Sequence, residues 1–233
     1  MADAALIARP SSLRLSLLMI QDSIDAFVER LAKSPAGANS VNPFDHSDRD
    51  NAIRRRNLAL YFGQLAERRP ATLLLGEAPS YRGMRVTGVP FTNTTILRRG
   101  IPHFGLLGTA NGFEVPDAPR VAAEPTATVM WNALVELDFL PVLWSAYPLH
   151  PHRPGNPLSN RRPSVREATE WAWSWQELVD VLSIRSVVAV GNVARDILVK
   201  GGMSVPHVRH PSQGGREKFT HGLRELLADD IIA

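Results

Sequence analysis

Ala71-Thr72-Leu73-Leu74-Leu75-Gly76 is a short apolar run that stops on glycine. A run of that length without polar alternation reads as a strand buried on both faces, the pattern of a parallel sheet. Pro141-Val-Leu-Trp-Ser-Ala146 and Ser186-Val-Val-Ala-Val-Gly191 repeat the pattern, and Val205 to Val208 reads as a short fourth strand. Helical segments lie between them. Thr126 to Asp138 carries Met130, Leu134 and Leu137 on one face. Ser164 to Leu182 opens with Ser164 and Glu167 at capping-box spacing, and Asn192 to Lys200 follows the third strand. Strands alternating with helices predict an α/β fold. The expectation is a three-layer sandwich with a four-stranded parallel central sheet flanked by helices.

Working outward, Ser16 to Lys33 places Leu17, Ile20, Ile24, Phe27, Val28 and Leu31 at helical spacing. Ser34 to Asp50 is rich in Pro, Gly, Asn and Ser and reads as a loop. A second helix is expected from about Asp48 to Arg68, and a tail helix from Phe219 to Leu227. Residues 1–70 thus read as a helical elaboration of the α/β domain at 71–233, one compact domain in all. The length of 233 residues and a hydrophobic content of 44% suffice for such a core.

The chain has no cysteine, which excludes disulfides, thiolate zinc sites and iron–sulfur clusters. No apolar run is long enough to span a membrane. Leu13 to Ile20 is short and is followed by Gln21 and Asp22, so it reads as the start of a core helix and not as a signal peptide. A cytoplasmic monomer is the expectation. The formal charge of +3, carried mostly by arginine, is compatible with nucleic acid without requiring it.

Ligands of parallel sheets sit at the carboxyl ends of the strands. Three unusual segments fall there: Gly76 to Phe91, Ser145 to Asn156 and His210 to Arg216. The first is a tight Gly- and Pro-shaped loop with no Gly-Lys-Ser/Thr, so it is not a Walker phosphate cradle. The third carries His210-Pro211-Ser212 directly after a strand. His103, His150, His152, His207 and His210 offer imidazoles to a metal, but acidic partners are sparse and no His-Glu-x-x-His helix occurs. A metal-dependent hydrolase is therefore the weaker chemical reading, and no metal or other cofactor is expected.

Taken in order, these motifs resemble the uracil-DNA glycosylase superfamily. Gly76-Glu77-Ala78-Pro79 and Thr87-Gly88-Val89-Pro90-Phe91 are similar to its first motif, and His210-Pro211-Ser212 to its second. Val188 to Ile197 looks like its third strand and following helix. The resemblance spans Leu73 to Arg216. It implies an enzyme that flips uracil out of DNA and hydrolyses its glycosidic bond, with uracil-containing DNA as partner. It implies that Phe91 stacks on the flipped base and that His210 donates a hydrogen bond to the anion developing on it.

The same resemblance marks departures. Many relatives carry a carboxylate or asparagine where Ala78 stands, to position the attacking water, and alanine cannot do so. Glu77 is the nearest carboxylate; it reads equally as a catalytic group or as a loop carboxylate bonded to backbone. An asparagine that reads the uracil edge is replaced by Ser145, which lacks the amide's two-point contact. Backbone groups, Trp144, Tyr147 or His150 are the substitutes the sequence offers, and Tyr81 is a candidate block to a thymine methyl. Gly76 and Ala78 would line the uracil site. Relatives with a Gly-Glu-x-Pro loop hold an iron–sulfur cluster through four cysteines, so this chain resembles a cluster-free branch. Arg153, Arg161, Arg162, Arg209, Ser212, Gln213 and Arg216 are expected at the DNA backbone, with Gln213 or Arg216 in place of a leucine wedge. Because Ala78 and Ser145 both lack an expected group, a non-catalytic relative that binds damaged or abasic DNA is the alternative from another class.

Overall fold

A computed structural model describes residues 12–116 and 124–233. Its elements are α1 (Ser12–Lys33), β1 (Ser40–Val41), α2 (Arg49–Arg68), β2 (Thr72–Gly76), α3 (Met84–Thr87), α4 (Thr94–Arg99), α5 (Pro125–Glu136), β3 (Val142–Ser145), β4 (His150–Pro151), α6 (Val165–Glu170), α7 (Ala172–Val181), β5 (Ser186–Val190), α8 (Asn192–Lys200), β6 (His207–Val208) and α9 (Arg216–Ala228). The main sheet is four-stranded and parallel in the order β3-β2-β5-β6, flanked by helices. Every residue of β2 and β3 is buried, as their unbroken apolar sequences require.

From β2 the chain steps to β3 on one side, then crosses to β5 on the other. That reversal opens a crevice at the carboxyl end of β2, where open α/β sheets bind ligands. The two amino-terminal helices are part of the same core. Phe27 of α1 and Phe62 of α2 pack on Trp144 of β3 with ring centroids 5.7 and 5.5 Å away. Among the described residues no helix is long and apolar enough to cross a membrane.

The expected helix over Ser164–Leu182 is two helices, α6 and α7, broken at Trp171. The Trp171 backbone leaves the helical region (φ −104°, ψ 5°), and its indole meets the Tyr147 ring edge-on at 6.1 Å. The Ser164–Glu167 capping box is present. The segment expected as an uninterrupted loop before α2 contains β1, which pairs antiparallel with β4 through Ser40↔Pro151 and Val41↔His150. The tail helix begins at Arg216, three residues before its expected start.

Candidate active site

Parallel register aligns Gly76 with Ser145, so β2 and β3 end level with one another. The pairing continues past the strands: Ala146 N–H donates to Gly76 O at 2.9 Å and Tyr147 N–H to Glu77 O at 3.1 Å. On the other flank Val190 pairs with Val208, which delivers His210 to the same edge of the sheet. These strand ends enclose a cleft of about 230 Å³ lined by Glu77, Ala78, Pro79, Ser80, Met84, Phe91, Glu124, Thr126, Ser145, Asn160 and His210.

Phe91 is held on one wall by its own loop. Gly88 sits at φ 78°, and a Cβ there would stand 2.5 Å from the carbonyl oxygen of Arg54, so only glycine lets the loop run this close to α2. Buried Thr87 and Thr92 share a hydroxyl–hydroxyl hydrogen bond of 2.7 Å, and Thr92 Oγ1 donates to Val89 O at 2.7 Å. Phe91 itself adopts φ 47°, and the Trp131 indole N–H donates to its carbonyl. The ring lies against the end of β2: a Cβ on Gly76 would come within 2.5 Å of Phe91 Cζ. Gly76 therefore serves as the flat surface beneath the ring.

His210 is neutral with a defined tautomer. Burial, helped by neighbouring Arg209, lowers its imidazole to about 4. The backbone N–H of Ser212 donates to Nδ1 at 3.2 Å, so Nδ1 carries no proton and the ring proton is on Nε2. Ser212 Oγ lies 2.7 Å from the same nitrogen. The result is an uncharged N–H donor at the cleft wall.

Two carboxylates share the cleft. Burial raises the Glu77 carboxyl above its usual range, while nearby Arg162 opposes that shift. Burial raises Glu124 to about 7, against a hydrogen bond from the Ala127 backbone N–H that favours the anion. Glu124 was not apparent from the sequence: it lies in no motif and reaches the cleft as the residue preceding α5. The weak signal was an acidic residue directly before Pro125, which opens the helix. Ser80, Asn160 and Thr126 were also missed.

Glu77, Ala78, Phe91, Ser145 and His210 thus meet in one cleft, with Gly76 under Phe91. Tyr81 does not line it. Its N–H donates to Asn160 Oδ1 at 3.0 Å, and its ring lies beneath the Arg82 guanidinium. Trp144, Tyr147 and His150 are engaged elsewhere: Trp144 Nε1 with Ser174 Oγ, the Tyr147 hydroxyl with Ser40 Oγ, and His150 Nδ1 with Pro79 O at 2.9 Å. His150 consequently braces the loop that carries Glu77 and Ala78. Arg153, Arg209 and Gln213 are exposed, Gln213 in the left-handed region at φ 52°. Arg162 sits near Glu77, whereas Arg161 is occupied by Glu167 and by the carbonyls of Asn39 and His152. Arg216 faces Glu136 at the far end of α5, not the cleft. Among the described residues no cluster of three or more histidine or acidic side chains is arranged to hold a metal ion.

The structure superposes on the crystal structure of wild-type SMUG2 from Pedobacter heparinus with a TM-score of 0.57, covering 90% of this chain and 98% of that one. This chain shares the fold of that protein, a four-stranded parallel sheet flanked by helices. Identity between the two chains is 15%, and what they share is the fold. No family model matches the sequence, and no curated protein matches it.

Proposed function

We propose that this chain is a metal-free, monofunctional uracil-DNA glycosylase that extrudes uracil from DNA and hydrolyses its N-glycosidic bond. The observation that carries the reading is the neutral His210, with its proton on Nε2, in a base-sized cleft whose wall is the Phe91 ring. Enzymes that act on a base within DNA take it out of the stack into such a pocket. A flat base lies on Phe91. As the bond from N1 to C1′ breaks, its electron pair moves onto the base, and Nε2–H stabilises the charge on the neighbouring carbonyl oxygen. A neutral donor placed beforehand suits this task because its orientation is already fixed when the charge develops.

Ala78 offers nothing to the attacking water, so Glu77 takes that role. It is the neighbouring carboxylate in the same cleft, and Arg162 favours its ionised form. Water adds to C1′ and its proton passes to Glu77, leaving an abasic sugar and free uracil. Exposed Arg162 near Glu77 and Arg209 near His210 suit phosphate contacts, with exposed Arg153 a further candidate, and Ser212 and Gln213 follow His210 in the chain.

The test is an end-labelled duplex with a single deoxyuridine, incubated with chelator and then treated with alkali. Strand scission at the uracil is the expected result. Parallel duplexes with hypoxanthine and xanthine define the substrate range. Absence of scission on all three, with retained binding to abasic DNA, would replace the enzyme by a damage-binding protein.

A further inference from the structure

Glu124 occupies a position that the glycosylase reading leaves without a role. Its Oε2 lies 3.1 Å from the point where a Cβ on Gly83 would stand, and Ser80 Oγ lies equally close to that point. The carboxyl therefore hangs over the loop from Ser80 to Gly83 and shares the cleft with Phe91 and His210.

The titratable groups lining the cleft are Glu77, Glu124 and His210. Arg162 stands near Glu77 and Arg209 near His210. Arg85 of α3 acts on Arg54 and His150. Thr92 and Asn93, which lead into α4, present no charge; the Asn93 amide donates to the Glu124 backbone carbonyl at 3.4 Å. No described residue forms an ion pair with Glu124. Asp117 and Arg120 precede it in the chain and lie outside the described residues.

We infer that Glu124 acts as an un-ionised carboxylic acid, its O–H donating to a carbonyl oxygen on the rim of the flipped base and its C=O accepting the adjacent ring N–H. The inference rests on the glycosylase reading and adds to it the group that recognises the base edge. A protonated carboxyl presents one donor and one acceptor side by side, as a primary amide does, whereas the hydroxyl of Ser145 makes only a single-point contact. Environment divides the two carboxylates of the cleft. Burial raises both; Arg162 opposes the rise at Glu77, whereas at Glu124 only the Ala127 backbone N–H opposes it, and that carboxyl is raised to about 7. No covalent bond or net proton transfer at Glu124 is required, because it only holds the base.

Glutamine at this position keeps the donor and acceptor but cannot ionise. Single-turnover uracil excision is measured from pH 5 to 9 for wild type, Glu124→Gln and Glu124→Ala. The wild-type rate is expected to fall above about pH 7. Glu124→Gln should retain most of the activity and lose that alkaline decline, and Glu124→Ala should be slower by about 10²-fold or more at every pH. Loss of activity in Glu124→Gln equal to that in Glu124→Ala, beside an active wild type, would show that the carboxylate is the working form and overturn the inference. Wild-type rates in both variants would overturn it as well. An inactive wild type is a different failure, since it removes the glycosylase reading itself. An independent readout is the infrared carbonyl stretch of a protonated carboxyl, expected in wild type at pH 6 and missing from folded Glu124→Gln; equal spectra contradict the assignment.

Discussion

The Trp131 indole N–H donates to the Phe91 carbonyl at 2.9 Å, across 40 positions of sequence. Trp131 is buried on α5, and Phe91 is a non-glycine residue in left-handed backbone. Such a conformation costs roughly 1–2 kcal/mol and persists only where surrounding contacts hold it. α5 thus anchors the Phe91 backbone through Trp131 and presents Glu124 from its amino end. One helix sets two walls of the cleft.

Trp131→Phe keeps an aromatic ring and removes the N–H. The Phe91 carbonyl then loses its buried partner, at a cost of about 1–3 kcal/mol. A lowered Tm is expected together with a raised KM for uracil-containing DNA, as the Phe91 ring loses its fixed height. Thermal melts and steady-state kinetics check both. An unchanged KM would show that Phe91 is positioned by its loop alone.

Gly76→Ala places a Cβ within 2.5 Å of Phe91 Cζ and forces the ring off the end of β2. Base stacking on an aromatic side chain contributes about 1–3 kcal/mol per base, so affinity for extruded uracil should fall roughly ten- to hundredfold. The fold should survive, because the clash is with the far end of one side chain. Equilibrium binding to DNA bearing a non-hydrolysable uridine analogue measures the loss, and circular dichroism the fold.

Folded His210 releases its proton near pH 4, while an exposed histidine does so near 6.5. Between those values the unfolded chain binds more protons, so this contribution to stability is present above pH 6.5 and is lost as pH falls towards 4. Nitrogen-15 spectra of labelled histidine should show the His210 ring neutral at pH 6 with its proton on Nε2. Ser212→Ala should leave that tautomer in place, because the backbone N–H remains the donor to Nδ1. A protonated ring at pH 6 would remove the neutral donor from the mechanism.

Glu124 shifts the opposite way. It keeps its proton to about pH 7 when folded and to about 4.5 when exposed. The folded state binds the extra proton, and stability falls as pH rises through that window. Glu124→Gln should match wild type in Tm near pH 4.5 and exceed it at pH 8, by up to about 3 kcal/mol in unfolding free energy. Denaturant titrations at the two pH values test this without any substrate. A variant no more stable than wild type at pH 8 would mean that the carboxyl ionises at no cost.

Much of this architecture is legible in the sequence because local rules govern it. The apolar runs at Leu73–Leu75, Leu143–Trp144 and Val187–Val190 become parallel strands, and the unusual segments that follow them meet in one cleft. What stayed hidden depends on long-range packing. Glu124 follows a segment without apolar periodicity and gains its place only when α5 docks beside the Phe91 loop. Trp131 looks like an ordinary core residue until its N–H finds a carbonyl far away in sequence. The reverse also occurs: Arg216 is adjacent to the His210 loop in sequence, yet it is turned towards Glu136. Tyr81 likewise sits one residue beyond the cleft wall formed by Ser80.

The central claim is that His210 drives release of uracil from DNA, and the most direct measurement is single-turnover release of free uracil by wild type and His210→Ala under chelator. Wild type should liberate uracil stoichiometrically with the abasic sites formed, and His210→Ala should be slower by about 10²–10³-fold while binding the same DNA. No uracil release by wild type, or equal rates in the two proteins, would contradict it.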